Sequence, residues 1–199
     1  MTEINSLSQL DLNGTYSYAD YLTWKFEQAV ELIKGRILPM AAPSSRHQRI
    51  SWQLTGTFFN TFKNKQCRAF AAPFDVRLFD KTKSIKANKD VFTVVQPDMC
   101  IICDLSKIDV NGCNGAPDMV IEILSPGNSK KEMRIKKSLY EENQIQEYWI
   151  VDPERETIHQ FILNAQNLYD NPMIYVSGEI ATCAIFQDLL VPLDEVFVD

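Results

Sequence analysis

Apolar positions recur along the chain with two periods, and each period predicts a kind of element. Short apolar or alternating runs, the pattern of a strand, mark residues 29–33, 36–40, 67–72, 74–79, 92–103, 157–163, 173–176 and 180–185. Lys34-Gly35 joins the first two runs as a tight hairpin, and Ser177-Gly178 is read as the turn of a last one. Ile50, Leu54, Thr57, Phe58 and Phe62 follow helical spacing, so a long helix is expected from Arg46 to about Lys63, capped by Ser45. A shorter helix is expected to open near Thr15 and run to about Gln28. The centre of the pattern is 116–152. Its first strand ends at Ser125-Pro126-Gly127, a helix follows with Lys136 and Tyr140 on one side, and Tyr148-Trp149-Ile150-Val151-Asp152 resumes as a buried strand. Residues 80–90 read as a polar, lysine-rich exposed loop, and 104–115 contain the turn pairs Asn111-Gly112 and Asn114-Gly115. A short segment rich in Leu and Val, 187–198, closes the chain. Antiparallel strands at both ends with a strand–helix–strand unit between them predict an α/β fold with a mixed central sheet flanked by helices. Residues 1–14 are expected to be flexible, and 15–199 to form one domain.

One feature breaks the apolar logic. In the strand that starts near Met119, Asp118 and Glu122 share one face, while Met119, Ile121 and Ile123 point the other way. An acid inside so apolar a strand is costly to bury unless it is paired or bound to metal. Upstream, Pro97-Asp98 again puts a carboxylate behind a proline at the head of an apolar run. Two neighbouring strands that each deliver one acid supply oxygen ligands for a hard divalent cation, Mg²⁺ or Mn²⁺ rather than zinc.

Composition narrows the field. The apolar share is 45%, and no unbroken run approaches the ~18 residues of a membrane span. The N-terminus lacks a basic start followed by an apolar run, which argues against a secretion signal. Five cysteines, an odd number, favour reduced thiols and a cytoplasmic setting. Cys100 and Cys103 have the CxxC spacing, but residues three apart in a strand face opposite ways and no second CxxC completes a zinc site. Ser125 lacks the Gly-X-Ser-X-Gly context, glycine-rich phosphate loops are absent, and His47 and His159 are the only histidines. The formal charge is −6, yet Lys130, Lys131, Arg134, Lys136 and Lys137 crowd one helix against Glu132 alone. That cluster is either a solvated helix face or a phosphate-binding patch.

The segment PDMVIEILSPGNSKKEMRIKKSLYEENQIQEYWIVDPE, from Pro117 to Glu154, resembles the signature of the Uma2 family of restriction-endonuclease-like proteins, within the PD-(D/E)XK nuclease superfamily. The likeness extends over roughly Tyr16 to Glu154, with insertions near 81–90 and 109–115. It implies a restriction-endonuclease-like core and a DNA endonuclease that hydrolyses phosphodiesters through carboxylate-bound Mg²⁺ or Mn²⁺ and an activated water. Asp98 and Glu122 match the metal-binding acids. Leu124 stands where the general superfamily pattern has lysine, and the resemblance instead assigns that role to Lys136 on the following helix. Glu31 falls in Glu31-Leu32-Ile33-Lys34-Gly35-Arg36-Ile37, the family's first acidic motif, and His47-Gln48 fits its His-Gln pair. The chain departs from the family at Glu132, where Asp is usual, and at Asn143-Gln144-Ile145, which lacks a glycine. Plainer roles stand beside these: Asp98 as a strand start, Asp118 as a turn residue, Lys136 paired with Glu132, Glu31 paired with Arg36, and His47 as a helix-start hydrogen-bonder. The basic helix and the Lys81–Lys89 loop are expected to contact the DNA backbone, and analogy with related nucleases suggests a homodimer. Two rival readings are a non-enzymatic binding or assembly domain on the same scaffold and a carboxylate glycosidase using Glu122 with Asp98.

Overall fold

The computed structural model of the chain describes residues 3–79, 88–125 and 130–198. Residues 80–87 of the expected basic loop, the Pro126-Gly127 strand break and the side chains of Lys130 and Lys131 lie outside the described residues. A short helix α1 (Tyr18–Tyr21) leads to the hairpin β1 (Val30–Ile33) and β2 (Arg36–Pro39), then to the long helix α2 (Ser45–Phe62). Four strands follow: β3 (Arg68–Ala71), β4 (Val76–Leu78), β5 (Thr93–Val95) and β6 (Met99–Ile102). A small hairpin, β7 (Ile108–Asp109) and β8 (Gly112–Asn114), precedes the central unit of β9 (Met119–Ile123), α3 (Lys130–Glu142) and β10 (Glu147–Asp152). The chain closes with β11 (Thr157–Ile162), β12 (Met173–Tyr175), β13 (Ile180–Thr182), β14 (Leu190–Pro192) and α4 (Leu193–Val196).

Two mixed six-stranded sheets result, in the orders β2-β1-β5-β4-β8-β7 and β12-β11-β10-β9-β6-β3, beside the pair β13-β14. The β9/β10 pair runs parallel, because α3 carries the chain back over the sheet between them. The α/β architecture with a mixed central sheet is therefore present. Alternation along β9 divides the core. Met119, Ile121 and Ile123 face Ile50, Leu54, Phe58 and Phe62 of α2, and Val120 faces Leu139 and Tyr140 of α3. Each such apolar side chain, fully buried, contributes roughly 1.5–3 kcal/mol, so the two helices are fastened to opposite faces of one sheet.

Several sequence expectations need correction. The first helix stops at Tyr21, after which Trp24 gathers the rings of Tyr16 (edge-on), Tyr21 (tilted) and Phe26 (stacked) and bridges to Ile4. Separately, residues 3–14 contain a 3-10 turn (Leu7–Gln9) capped by Ser6, and Leu10 is buried. Ser44 rather than Ser45 caps α2, since its extended backbone lets the hydroxyl accept from the His47 amide. Within 104–115 the β7/β8 hairpin turns beside the Asn111-Gly112 pair. β12 and β13 do not pair with each other: β12 adds to β11, and β13 pairs with β14. The expected set of reduced thiols is also corrected. Arg68 stands opposite Ile102 in the β3/β6 ladder, so the next residues out, Cys67 and Cys103, face each other and are joined as a disulfide. Cys100, Cys113 and Cys183 are free and buried. No helix among the described residues is long and apolar enough to cross a membrane.

Candidate active site

The run 92–103, read above as one strand, is two. β5 belongs to one large sheet and β6 to the other, and Gln96-Pro97-Asp98 carries the chain between them. Pro97 has no N–H to give, so the ladder cannot continue through it. This crossing draws acids from both sheets together. The Gln96 backbone N–H donates to Glu31 Oε1 on β1 at 2.9 Å. The Gln96 side chain is itself held, donating to Asp75 Oδ1 at 2.8 Å and to the Tyr21 hydroxyl at 3.1 Å. One residue beyond the proline, the Met99↔Ile121 register of β6 and β9 extends to Asp98 opposite Glu122. Facing residues of an antiparallel pair have Cβ atoms roughly 4.5–5.5 Å apart. Asp98 Oδ2 accepts from the Ile123 amide at 2.6 Å, and Oδ1 lies 3.1 Å from His47 Nε2 at the start of α2.

α3 supplies the opposing charge. Lys136 and Tyr140 are four residues apart, so both reach the same side of the helix. The Lys136 ammonium donates to Glu31 Oε1 at 3.0 Å and to Glu122 Oε1 at 2.9 Å, and the Tyr140 hydroxyl donates to that same Glu122 oxygen. Glu31 and Lys136 are buried, and the Glu122 side chain is 12% exposed. Burial alone would discharge Lys136, but Glu122 and Glu31 outweigh it and hold its pKa above the ordinary lysine value. Glu122 is pushed up to about 7, first by burial and then by the neighbouring charges of Glu31 and Asp98, with Lys136 and Tyr140 opposing. Burial likewise lowers His47, yet its bond to Asp98 carries the net shift upward. Tyr140 is driven well above the ordinary phenol value by burial and by the two glutamates, so it stays a proton donor.

Glu31, His47, Asp98, Glu122 and Lys136 line a cavity of about 270 Å³, with Gln48, Ser125 and Glu132 on its wall. The structure thus brings Glu31, Asp98, Glu122 and Lys136 to one place. It sets Asp118 apart, accepting from the Cys103 amide at 2.7 Å. Glu31 bonds Lys136, whereas Arg36 donates to the Gly14 carbonyl, so the hairpin pairing considered for them is absent. Lys136 bonds Glu31 and Glu122, not Glu132. Lys137, expected among the DNA-contacting cations, lies over the rings of Phe161 and Tyr169 at 5.4 and 5.5 Å and 3.7 Å from Glu141. Leu124 packs into the core on the α3 side, so the lysine on this wall comes from the helix. Sequence reasoning missed the Gln96 amide and the grip of His47 on Asp98. The His47-Gln48 pair at the head of α2 was the available signal for the latter.

Carboxylates are hard oxygen donors, and the pair Asp98 and Glu122 suits an ion such as Mg²⁺ that retains several waters of its own. Among the described residues no group of three or more His, Cys, Asp or Glu side chains is arranged to hold a metal ion, so the fit rests on the two carboxylates alone.

The sequence profile of the Uma2 family, described as "Putative restriction endonuclease", matches residues 18–193. Four solved chains match the fold. One of them is the crystal structure of "a putative nuclease belonging to DUF820 from Anabaena variabilis", with a TM-score of 0.70 over 92% of this chain and 97% of that one. Identity to it is 20%, so this likeness speaks for the fold. No curated protein matches the chain.

Proposed function

The chain belongs to the Uma2 family, a restriction-endonuclease-like family of nucleases, and we propose that it is a divalent-metal-dependent DNA endonuclease. Asp98 and Glu122 are the residues that would hold Mg²⁺ or Mn²⁺. When bound, such an ion neutralises charge developing on a scissile phosphate and lowers the pKa of a coordinated water. The chain's own residues prepare that ground. His47 and the Ile123 amide fix Asp98, while Tyr140 and Lys136 fix Glu122. Glu31, anchored by the Gln96 amide, holds the Lys136 ammonium from the other side. With its pKa raised, Lys136 keeps its protons, so its role is to stabilise negative charge on the phosphate rather than to accept a proton.

The observation that carries this reading is the charge count of the cavity. A structural ion pair needs one carboxylate per ammonium, whereas Glu31 and Glu122 here share Lys136, and Asp98, which pairs with His47, and Glu132 line the same cavity. Even a protonated His47 leaves an excess of negative charge facing the opening, the condition a divalent cation relieves.

The test is incubation of the purified protein with supercoiled plasmid, with Mn²⁺ or with a chelator, beside Asp98→Asn and Glu122→Ala. Cleavage is expected with metal alone, and a fall of about 100-fold or more in each variant. Chelator-resistant cutting, or full activity in a folded Glu122→Ala protein, refutes the proposal. A wild-type protein that binds DNA but cuts nothing under either condition supports the binding-domain reading instead.

A further inference from the structure

The inward face of α2 is spent on the core, and its outward face carries an arrangement that packing does not explain. Gln48, Trp52, Gly56, Phe59 and Lys63 follow one another at helical spacing, and all five are exposed. Trp52 is 77% exposed and Phe59 63%, far beyond what large aromatic side chains show without cause. Between them sits Gly56, where an added Cβ would meet no atom within 4 Å. A glycine in a helix interior costs stability, and here no neighbouring element requires it. What it does is leave a gap in the helix surface between two rings about 10 Å apart along the axis. The row begins at the cavity, since Gln48 lines it together with Asp98 and Glu122.

Charge identifies the occupant. From Leu32 to Phe74 the sequence holds seven Lys or Arg residues and no Asp or Glu, in a chain of net charge −6. Three of the seven, Lys34, Arg46 and Lys65, pair with acids from other segments. Lys63 instead reaches over the Phe59 ring at 5.9 Å, at the far end of the row. A polyanion with flat apolar groups complements that cation and both exposed rings at once.

We propose that the outer face of α2 is a path for single-stranded nucleic acid, with bases stacked on Trp52 and Phe59, a nucleotide seated over Gly56 and the backbone drawn by Lys63. The strand's direction toward the cavity rests on the nuclease reading, whereas its binding to α2 does not.

The test is fluorescence anisotropy of a labelled oligothymidine in chelator, so that cleavage plays no part. Trp52→Ala and Phe59→Ala should each weaken binding about 10-fold, and Lys63→Ala should flatten its salt dependence. Gly56→Leu is the control against misfolding: it should raise the melting temperature through better helix propensity while still weakening binding. Unchanged binding in the ring variants overturns the proposal, as does equal or tighter binding of a duplex of the same length. So does a wild-type dimer, seen by light scattering, that Trp52→Ala dissolves, for a second copy would then cover the face. Binding that follows Trp52 and Phe59 while plasmid stays uncut leaves this proposal standing and removes the nuclease reading.

Discussion

Lys136→Met is the perturbation that bears most directly on the candidate site. It keeps the length and apolar stem of the side chain and removes only the ammonium. That ammonium makes two contacts, at 3.0 Å to Glu31 and 2.9 Å to Glu122, in a buried setting. At such distances and an effective dielectric near 20, each contact has a gross Coulomb energy of about 5–6 kcal/mol, much of it offset by desolvation of the charges. Removing one partner forfeits the attraction but leaves the desolvation in place, and for buried pairs the net cost is about 3–5 kcal/mol. Against a total stability of about 5–15 kcal/mol, that loss is easily measured. It must also depend on pH in a fixed direction. Without the cation the folded-state pKa of Glu122, already about 7 in the intact site, rises further above its unfolded value. The native state then binds more protons than the unfolded state between the two values, so stability falls as pH rises through that window. Urea denaturation near pH 5 should therefore show a small deficit against wild type, and near pH 8 the full one. Added Mn²⁺ should recover part of the deficit at the higher pH, because it replaces the missing positive charge. A variant as stable as wild type at both pH values would refute the claim that the acids depend on Lys136. A deficit that Mn²⁺ leaves untouched would refute the claim that the cavity accepts a divalent ion.

Two further substitutions probe the scaffold. Glu147→Ala should cost at least about 2 kcal/mol by denaturant titration, since it strands the Trp149 and Gln160 side-chain donors in the core and frees the half-buried Ile185 amide; a loss under about 1 kcal/mol would contradict that accounting. Asp152 is raised by burial but lowered on balance by its bonds to Arg155 and to the amides of Arg155 and Glu154. Such a depressed acid stabilises the fold above its unfolded pKa and loses that contribution as pH falls through the folded one, so Asp152→Asn should flatten the acid limb of a thermal-stability profile and an unchanged limb would exclude the effect.

What the sequence made legible was local. Glu122 stood out because its strand neighbours are apolar, and Lys136 and Tyr140 because four residues is one helical turn. What it hid was set by distant partners. Nothing in residues 92–103 says that β5 pairs with β1 and β4 while β6 pairs with β3 and β9, so a broken run reads as one strand. The Cys67–Cys103 bond follows from the β3/β6 register, which spacing along the chain does not reveal. Ser44 and Ser45 are equally good caps by type, and only backbone geometry separates them. His47 reaches Asp98 because α2 lies across the face of the second sheet, again a tertiary fact.

Glu122 and Glu147 show where sequence pattern ends and chemistry begins. Both are acids in apolar strands of the same sheet, and β9 and β10 are hydrogen-bonded neighbours. Glu147 is fully buried, and both of its oxygens are served by neutral donors fixed in place: Trp149 and Gln160 on Oε1, and Cys183 with the Ala184 and Ile185 amides on Oε2. Those donors hold one geometry, which suits a carboxylate that locks β10 to the segment after β13. Glu122 lines a cavity and takes its charge partner from a lysine that it shares with a second glutamate, opposite a third acid on the neighbouring strand. Its environment is short of positive charge where Glu147's is saturated with dipoles. That difference, invisible in the two strand sequences, is what makes Glu122 the candidate for chemistry and Glu147 a structural tie.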